Sequence, residues 1–274
     1  MLDVLSLPFA QRGLLAVCLL AVGAGLVGTW IVLRGLAFYS HAVGTATFPG
    51  LVLADGLGFG ASLGAAGTAA LVAVGVGALS RSDRARDRYD SLTALVLVGA
   101  LALGIVLASD VFGSQASVES LLFGSLLLIS PGDLWLMGGA SAVALGAGLL
   151  LEHRWVLTGF DPEAARSLGV RSGRSDLVLL AVVAALAVAA LAAVGALLAT
   201  ALLVVPAATT RLLCERLRTW QLATILLVVV EGVAGVWLSI ETNAPTGATI
   251  AVLSAGAFAL CAAGRVVLGS RRAA

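Results

Sequence analysis

Residues 219–240 read TWQLATILLVVVEGVAGVWLSI, and their only formal charge is Glu231. A helix needs about 20 predominantly apolar residues to cross the ~30 Å hydrocarbon core of a bilayer. The stretch therefore predicts a membrane-crossing helix. Glu231 lies twelve residues past Thr219, about 18 Å along the helix and close to mid-bilayer. Ionisable groups at that depth are costly and mark functional positions by default. The competing explanation is a neutral acid hydrogen-bonded to a neighbouring helix. Gly232 and Gly235 beside it permit a close neighbour.

The same pattern recurs along the chain. There are 21 uncharged residues between Arg12 and Arg34, 25 between Asp55 and Arg81, and 34 over 177–210. The sequence is 60% hydrophobic and 11% charged, which excludes an ordinary soluble domain. The runs are continuously apolar rather than alternating, which predicts helices and not a lipid-facing barrel. The expected fold class is all-α: one polytopic transmembrane bundle over 1–274, with about 8–9 membrane helices. The expected spans are 12–33, 36–54, 57–79, 91–108, 134–151, 177–192, 193–210, 220–239 and 247–267. Residues 116–129 are too short to cross and predict a partial or re-entrant helix.

The first run lacks a small-residue cleavage site followed by a soluble domain, and reads as a span rather than a signal peptide. Cys18, Cys214 and Cys261 are scattered and form neither a disulfide framework nor a metal motif. A net charge of +1 gives no nucleic-acid signal. The 33 glycines put small surfaces on the helices. Gly60 with Gly64, and the series Gly23, Gly25 and Gly28, are expected at close helix contacts. The tryptophans Trp30, Trp135, Trp155, Trp220 and Trp237 fall mostly near proposed span ends, where aromatic anchors are expected.

Arginine-rich stretches at 81–90, 152–176, 211–218 and the C-terminal tail set the orientation, because short cytoplasmic loops carry the basic residues. Placing them all inside requires even numbers of crossings between them. The first three spans then put the N-terminus outside. Within one of these stretches, TGFDPEAARSLGVRSGR (158–174) predicts a short capped helix. Asp161 is a good N-cap, Pro162 suits the first turn, and Glu163 sits near the positive helix end. Gly169 is the expected stop.

Six stretches, in order, resemble the membrane permease subunits of ATP-binding-cassette importers for zinc, manganese or iron. They are PFAQRGLLA (8–16), VLRGLAFYSHAVGTATFPGLVLA (32–54), SLLFGSLLLISPGDL (120–134), FDPEAARSLGV (160–170), VGALLATALLVVPAATTRLL (194–213) and NAPTGATIAVLSAG (243–256). The resemblance covers essentially the whole chain. It is nearest to an actinobacterial-type branch that keeps FYSHAVGTATFPG. It implies a smaller, vitamin-importer-like permease in a bacterial plasma membrane, working as a homo- or heterodimer. Two cytoplasmic ATPase subunits would use ATP and magnesium, and an extracytoplasmic solute-binding protein would deliver the cargo. The permease itself would be no enzyme and would bind no cofactor. The 158–174 stretch corresponds to the coupling helix region that seats on the ATPase, carried over here on Asp161, Pro162, Glu163, Ala165 and Gly169. No GxxxxGK[ST] loop is present, in keeping with an ATP site on another subunit.

The chain departs from the family at the second span. Where relatives usually read DALSHAVLPG, this chain reads HAVGTATFPG. His41 occupies the usual aspartate position and Thr45 the usual histidine position. Four residues apart, they share a helix face. An imidazole with a hydroxyl is a weaker divalent-ion site than a carboxylate with an imidazole. Transit needs weak contact, so passage of zinc or manganese is compatible with it. His41, Thr45, Glu231 and Asp55 are the path candidates, with His41 and Glu231 as metal ligands. Asp55, fourteen residues beyond His41, is expected at the span's end. The alternatives are the same machine carrying a non-metal cargo, or an ion channel or secondary transporter using Glu231 and Asp55.

Overall fold

The computed structural model describes residues 8–79, 86–111, 123–124, 129–161, 165, 167–169, 172–195 and 199–272. Among these residues the chain is helical throughout its regular structure. The helices are α1 (Pro8–Arg34), α2 (Ala37–Leu57), α3 (Ala61–Leu79), α4 (Arg86–Val106), α5 (Pro131–Phe160), α6 (Ser172–Val194), α7 (Ala199–Arg211), α8 (Leu217–Thr242) and α9 (Thr246–Arg272). A single π-helical turn, Leu107–Val111, follows α4. The all-α bundle read from the apolar runs is the fold observed. Stretches Pro8–Arg34, Pro131–Gly159, Leu217–Thr242 and Thr246–Val267 are each long and apolar enough to cross a membrane.

Local chemistry sets the helix ends. Ser130 caps α5 in a reciprocal box. Its hydroxyl accepts from the Asp133 amide at 3.2 Å, and the Asp133 carboxylate accepts from the Ser130 amide at 2.9 Å. Pro131 then occupies the first turn, where its missing N–H costs nothing. Asn243 ends α8 in the left-handed conformation, its amide donating to the Ser239 carbonyl. Such a residue satisfies carbonyls that the last turn leaves free.

The expected crossing over 193–210 is shorter than its apolar run. α6 stops at Val194 and α7 begins only at Ala199, for 13 residues. That is about 20 Å, less than the ~30 Å core, so the break between the two helices lies at depth. Gly195 takes φ +80 there, and Gly124 packs against it with φ +75. A Cβ on Gly124 would stand 2.7 Å from the Gly195 nitrogen. The two backbones meet because neither carries a side chain. Of the expected partial helix 116–129, only residues 123, 124 and 129 are among those described.

α1 is the central post, packed by α8, α5, α7 and α6. Its small residues make this possible. Gly23 faces Ser141 and Leu186, Gly25 faces Ile225, and Gly28 faces the Leu203 carbonyl. A second close crossing joins α2 to α3 through Gly50 and Gly64, each lying on the other's carbonyl oxygen. Gly60, also expected at a close helix contact, meets only Leu63 of its own segment. Trp30, Trp155 and Trp220 are also not surface anchors. All three are buried, whereas Trp135 is 83% exposed. Trp30 and Trp155 meet edge-on at 5.4 Å, and the Trp220 Nε1 donates to the Ala207 carbonyl at 2.8 Å.

The end of α1 lies on the arginine-rich side. Arg34 pairs with Asp176 at the start of α6 and bonds Thr158 near the end of α5. Arg34 is therefore an interhelical residue rather than one reaching out to the interface.

Candidate translocation site

α2 is buried continuously from Ala42 to Val52, although it carries Thr45, Thr47 and three glycines or prolines over that stretch. It is enclosed by α3, α4, α6 and α7. A polar helix wrapped in this way is shielded from lipid, which is where non-apolar groups are tolerated at membrane depth. The Tyr39 hydroxyl, donating to the Leu180 carbonyl at 2.9 Å, fixes the helix to α6.

His41 lies in the first turn of α2 and is half-buried. Its Nδ1 is 3.2 Å from the Thr200 Oγ1, at the start of α7. One turn on, Thr45 is 1% exposed and its Oγ1 has no hydrogen-bond partner. The Ser40 hydroxyl is likewise buried and unpaired. Pro49, inside the helix, has no N–H to give the Thr45 carbonyl four residues back. The His41 imidazole thus lies beside the α6–α7 break, and α2 carries two unpaired buried hydroxyls and a freed carbonyl within two turns of it. Buried polar atoms without partners are uncommon and call for a role. Irregular backbone at depth survives where it is buried in protein or lines a passage.

Glu231 is placed elsewhere. It is 4% exposed and its Oε2 accepts from the Ser254 hydroxyl of α9. Its Oε1 has no partner. Further along the same seam, the Thr249 hydroxyl donates to the Gly235 carbonyl at 3.0 Å. α2 is not among the principal packing partners of α8 or α9, so the structure does not bring His41 and Glu231 into one site. Asp55 is exposed in the last turn of α2, about 21 Å along the helix from His41. Among the described residues, no three His, Cys, Asp or Glu side chains converge as a metal centre.

The 158–174 stretch is described in part. Asp161 is extended, at φ −143 and ψ 91, and its amide donates to the Leu157 carbonyl to close α5. Its own carbonyl accepts from the Ala165 amide at 3.0 Å. Ala165 is 1% exposed and Gly169 takes φ +77. Pro162 and Glu163 lie outside the described residues.

Thr200, Ser254 and Arg34 are polar partners that sequence reasoning passed over as functional positions. Thr200 and Ser254 each had a signal, as a lone hydroxyl in an apolar run. What each one touches depends on a helix distant in sequence.

A family profile described as the ABC 3 transport family matches residues 6–264. The chain belongs to the ABC 3 transport family. Among other members is "Manganese transport system membrane protein MntC" of Halalkalibacterium halodurans, 32% identical over 258 residues, covering 94% of this chain and 88% of that protein. "Chelated iron transport system membrane protein YfeD" of Yersinia pestis is 30% identical over 252 residues, covering 90% and 82%. The fold matches a chain of "PsaBC from Streptococcus pneumoniae in complex with Fab" with a TM-score of 0.79 and 26% identity, over 95% of this chain and 93% of that one. As an ABC 3 transport family protein with several long apolar helices, this is a multi-pass bacterial membrane protein, a transport subunit distinct from the ATPase.

Proposed function

We propose that this chain is one permease subunit of an ATP-driven importer that passes a divalent metal ion, manganese or zinc. The observation that carries this reading is the enclosed helix α2, with unpaired Thr45 inside it and His41 meeting Thr200 beside a helix break. Relatives of the chain carry names of manganese and iron transport systems. A second permease subunit, identical or related, would complete the path. Two ATPase subunits would seat on the 158–174 stretch, and an extracytoplasmic binding protein would deliver the ion.

In this reading His41 offers one borderline ligand and Thr45 and Thr200 offer oxygens. The set is weak, which suits an ion that must leave as well as enter. ATP binding and hydrolysis in the partner would alternate access between the two faces. The test is a reconstituted complex with its ATPase and binding protein. ATP-dependent uptake of radiolabelled Mn²⁺ or Zn²⁺ is expected. Deletion of 158–170 is expected to uncouple hydrolysis, and hydrolysis indifferent to that deletion argues against the reading.

A second reading keeps the machine and changes the cargo. It is favoured by His41 and Thr45 standing where relatives carry aspartate and histidine, and by the lack of any ligand cluster among the described residues. Failure of both ions to bind or enter, with the assembled ATPase active, selects it.

A further inference from the structure

Three helices end at one guanidinium. Arg34 closes α1, and its Nη2 donates to the Asp176 carboxylate at 2.9 Å and to the Thr158 hydroxyl at 2.5 Å. Its Nη1 donates to the Thr158 carbonyl at 3.3 Å. The Arg34 side chain is 13% exposed and that of Asp176 39%. Gly159 leaves room for the fork, since a Cβ there would stand 3.2 Å from the Arg34 Nε. A second tie lies beside the first. Trp155 of α5 donates its Nε1 to the Ser175 carbonyl of α6 at 2.9 Å and rests its ring against Trp30 of α1.

The positions of the partners matter. Thr158 lies in the last turn of α5, and Asp176 lies four residues into α6, the next long helix. The helices on either side of residues 161–171 therefore hold the same arginine. From Arg34 the path inward is short. Gly28, six residues back, lies directly on the Leu203 carbonyl of α7, and Thr200 at the start of α7 faces His41. A partly exposed ion pair contributes little to stability. A planar fork with fixed donors, however, imposes geometry on what it holds.

We propose that Arg34 is the positioning residue that passes movement of the 158–174 stretch to α1, and through Gly28 to the α7 end that borders His41. This rests on the importer reading above. Displacement of either end of the stretch pulls on the guanidinium. α1 and α7 are closely packed there, with Gly28 against the Leu203 carbonyl and Ala207. Arg34 touches neither cargo nor nucleotide in this scheme.

The test uses the complete complex with its ATPase and binding protein in proteoliposomes. ATP hydrolysis and radiolabelled Mn²⁺ uptake are measured on the same sample. Arg34→Ala is expected to leave hydrolysis nearly unchanged and to lower ions moved per ATP by about tenfold, within the usual range of coupling between sites. Asp176→Asn, which removes the charge of one arm, and Thr158→Val, which removes the hydroxyl of the other, are expected to give smaller losses of the same ratio. Exchanging the pair, Arg34→Asp with Asp176→Arg, is expected to recover part of it. An unchanged ratio in Arg34→Ala overturns the proposal. If that variant does not assemble, an unchanged ratio in both Asp176→Asn and Thr158→Val overturns it equally. No ATP-dependent uptake by the unsubstituted complex overturns the importer reading itself, and is distinguishable because it needs no variant.

Discussion

The His41 Nδ1 and the Thr200 Oγ1 lie 3.2 Å apart across the contact between α2 and α7. The first sits in a buried polar helix and the second at the inner edge of a helix break. Their meeting places an imidazole beside the break between α6 and α7.

His41 and Thr45 share one face, so restoring the usual family pair is a direct test of the ligand set. The double substitution His41→Asp with Thr45→His supplies a carboxylate and an imidazole one turn apart. Binding of Mn²⁺ to the purified complex, measured by calorimetry, is expected to tighten by about tenfold, or ~1.4 kcal/mol. Uptake is expected to slow as release becomes harder.

The α2–α3 crossing depends on Gly50 and Gly64, each of which lies on the other's carbonyl oxygen. Gly50→Ala is expected to lower stability by about 1–3 kcal/mol through overpacking, seen as a reduced unfolding temperature in detergent. Gly67→Ala in the same α3 meets no neighbouring atom. It is expected to be neutral or slightly stabilising, because alanine is the better helix former.

Much of this fold was legible because a membrane helix announces itself by length and charge. Residues 219–240, with Glu231 as their only charge, gave α8 to within a few residues. Arg34, Thr158 and Asp176 place the ends of three helices on one face. The 177–210 run hid its break, since apolar content is the same on both sides of Gly195. What stops α6 there is a left-handed glycine packed against Gly124, some seventy residues away. The site divides in the same way. His41 and Thr45 were found from their spacing and their departure from a motif, whereas Thr200 and Ser254 needed the tertiary contact. Sequence reading put Glu231 and His41 on one path, and packing places them on separate helix pairs.

Glu231 and Ser254 link α8 to α9, and the two residues are expected to behave as a structural pair. Ser254→Ala leaves the buried carboxyl without its partner and is expected to cost about 1–3 kcal/mol. Removing both groups, with Glu231→Leu and Ser254→Ala together, is expected to cost less than Ser254→Ala alone. Thermal unfolding in detergent reads both. Glu231→Gln keeps an acceptor for Ser254 and is expected to leave Mn²⁺ uptake within about twofold; a complete loss would put Glu231 on the cargo path.

The most direct measurement is ATP-dependent Mn²⁺ uptake into proteoliposomes by the assembled complex, with and without His41→Ala. Uptake by the unsubstituted complex and its loss in His41→Ala, with ATP hydrolysis and assembly retained, is the expected result. Undiminished uptake in the variant contradicts a path through α2.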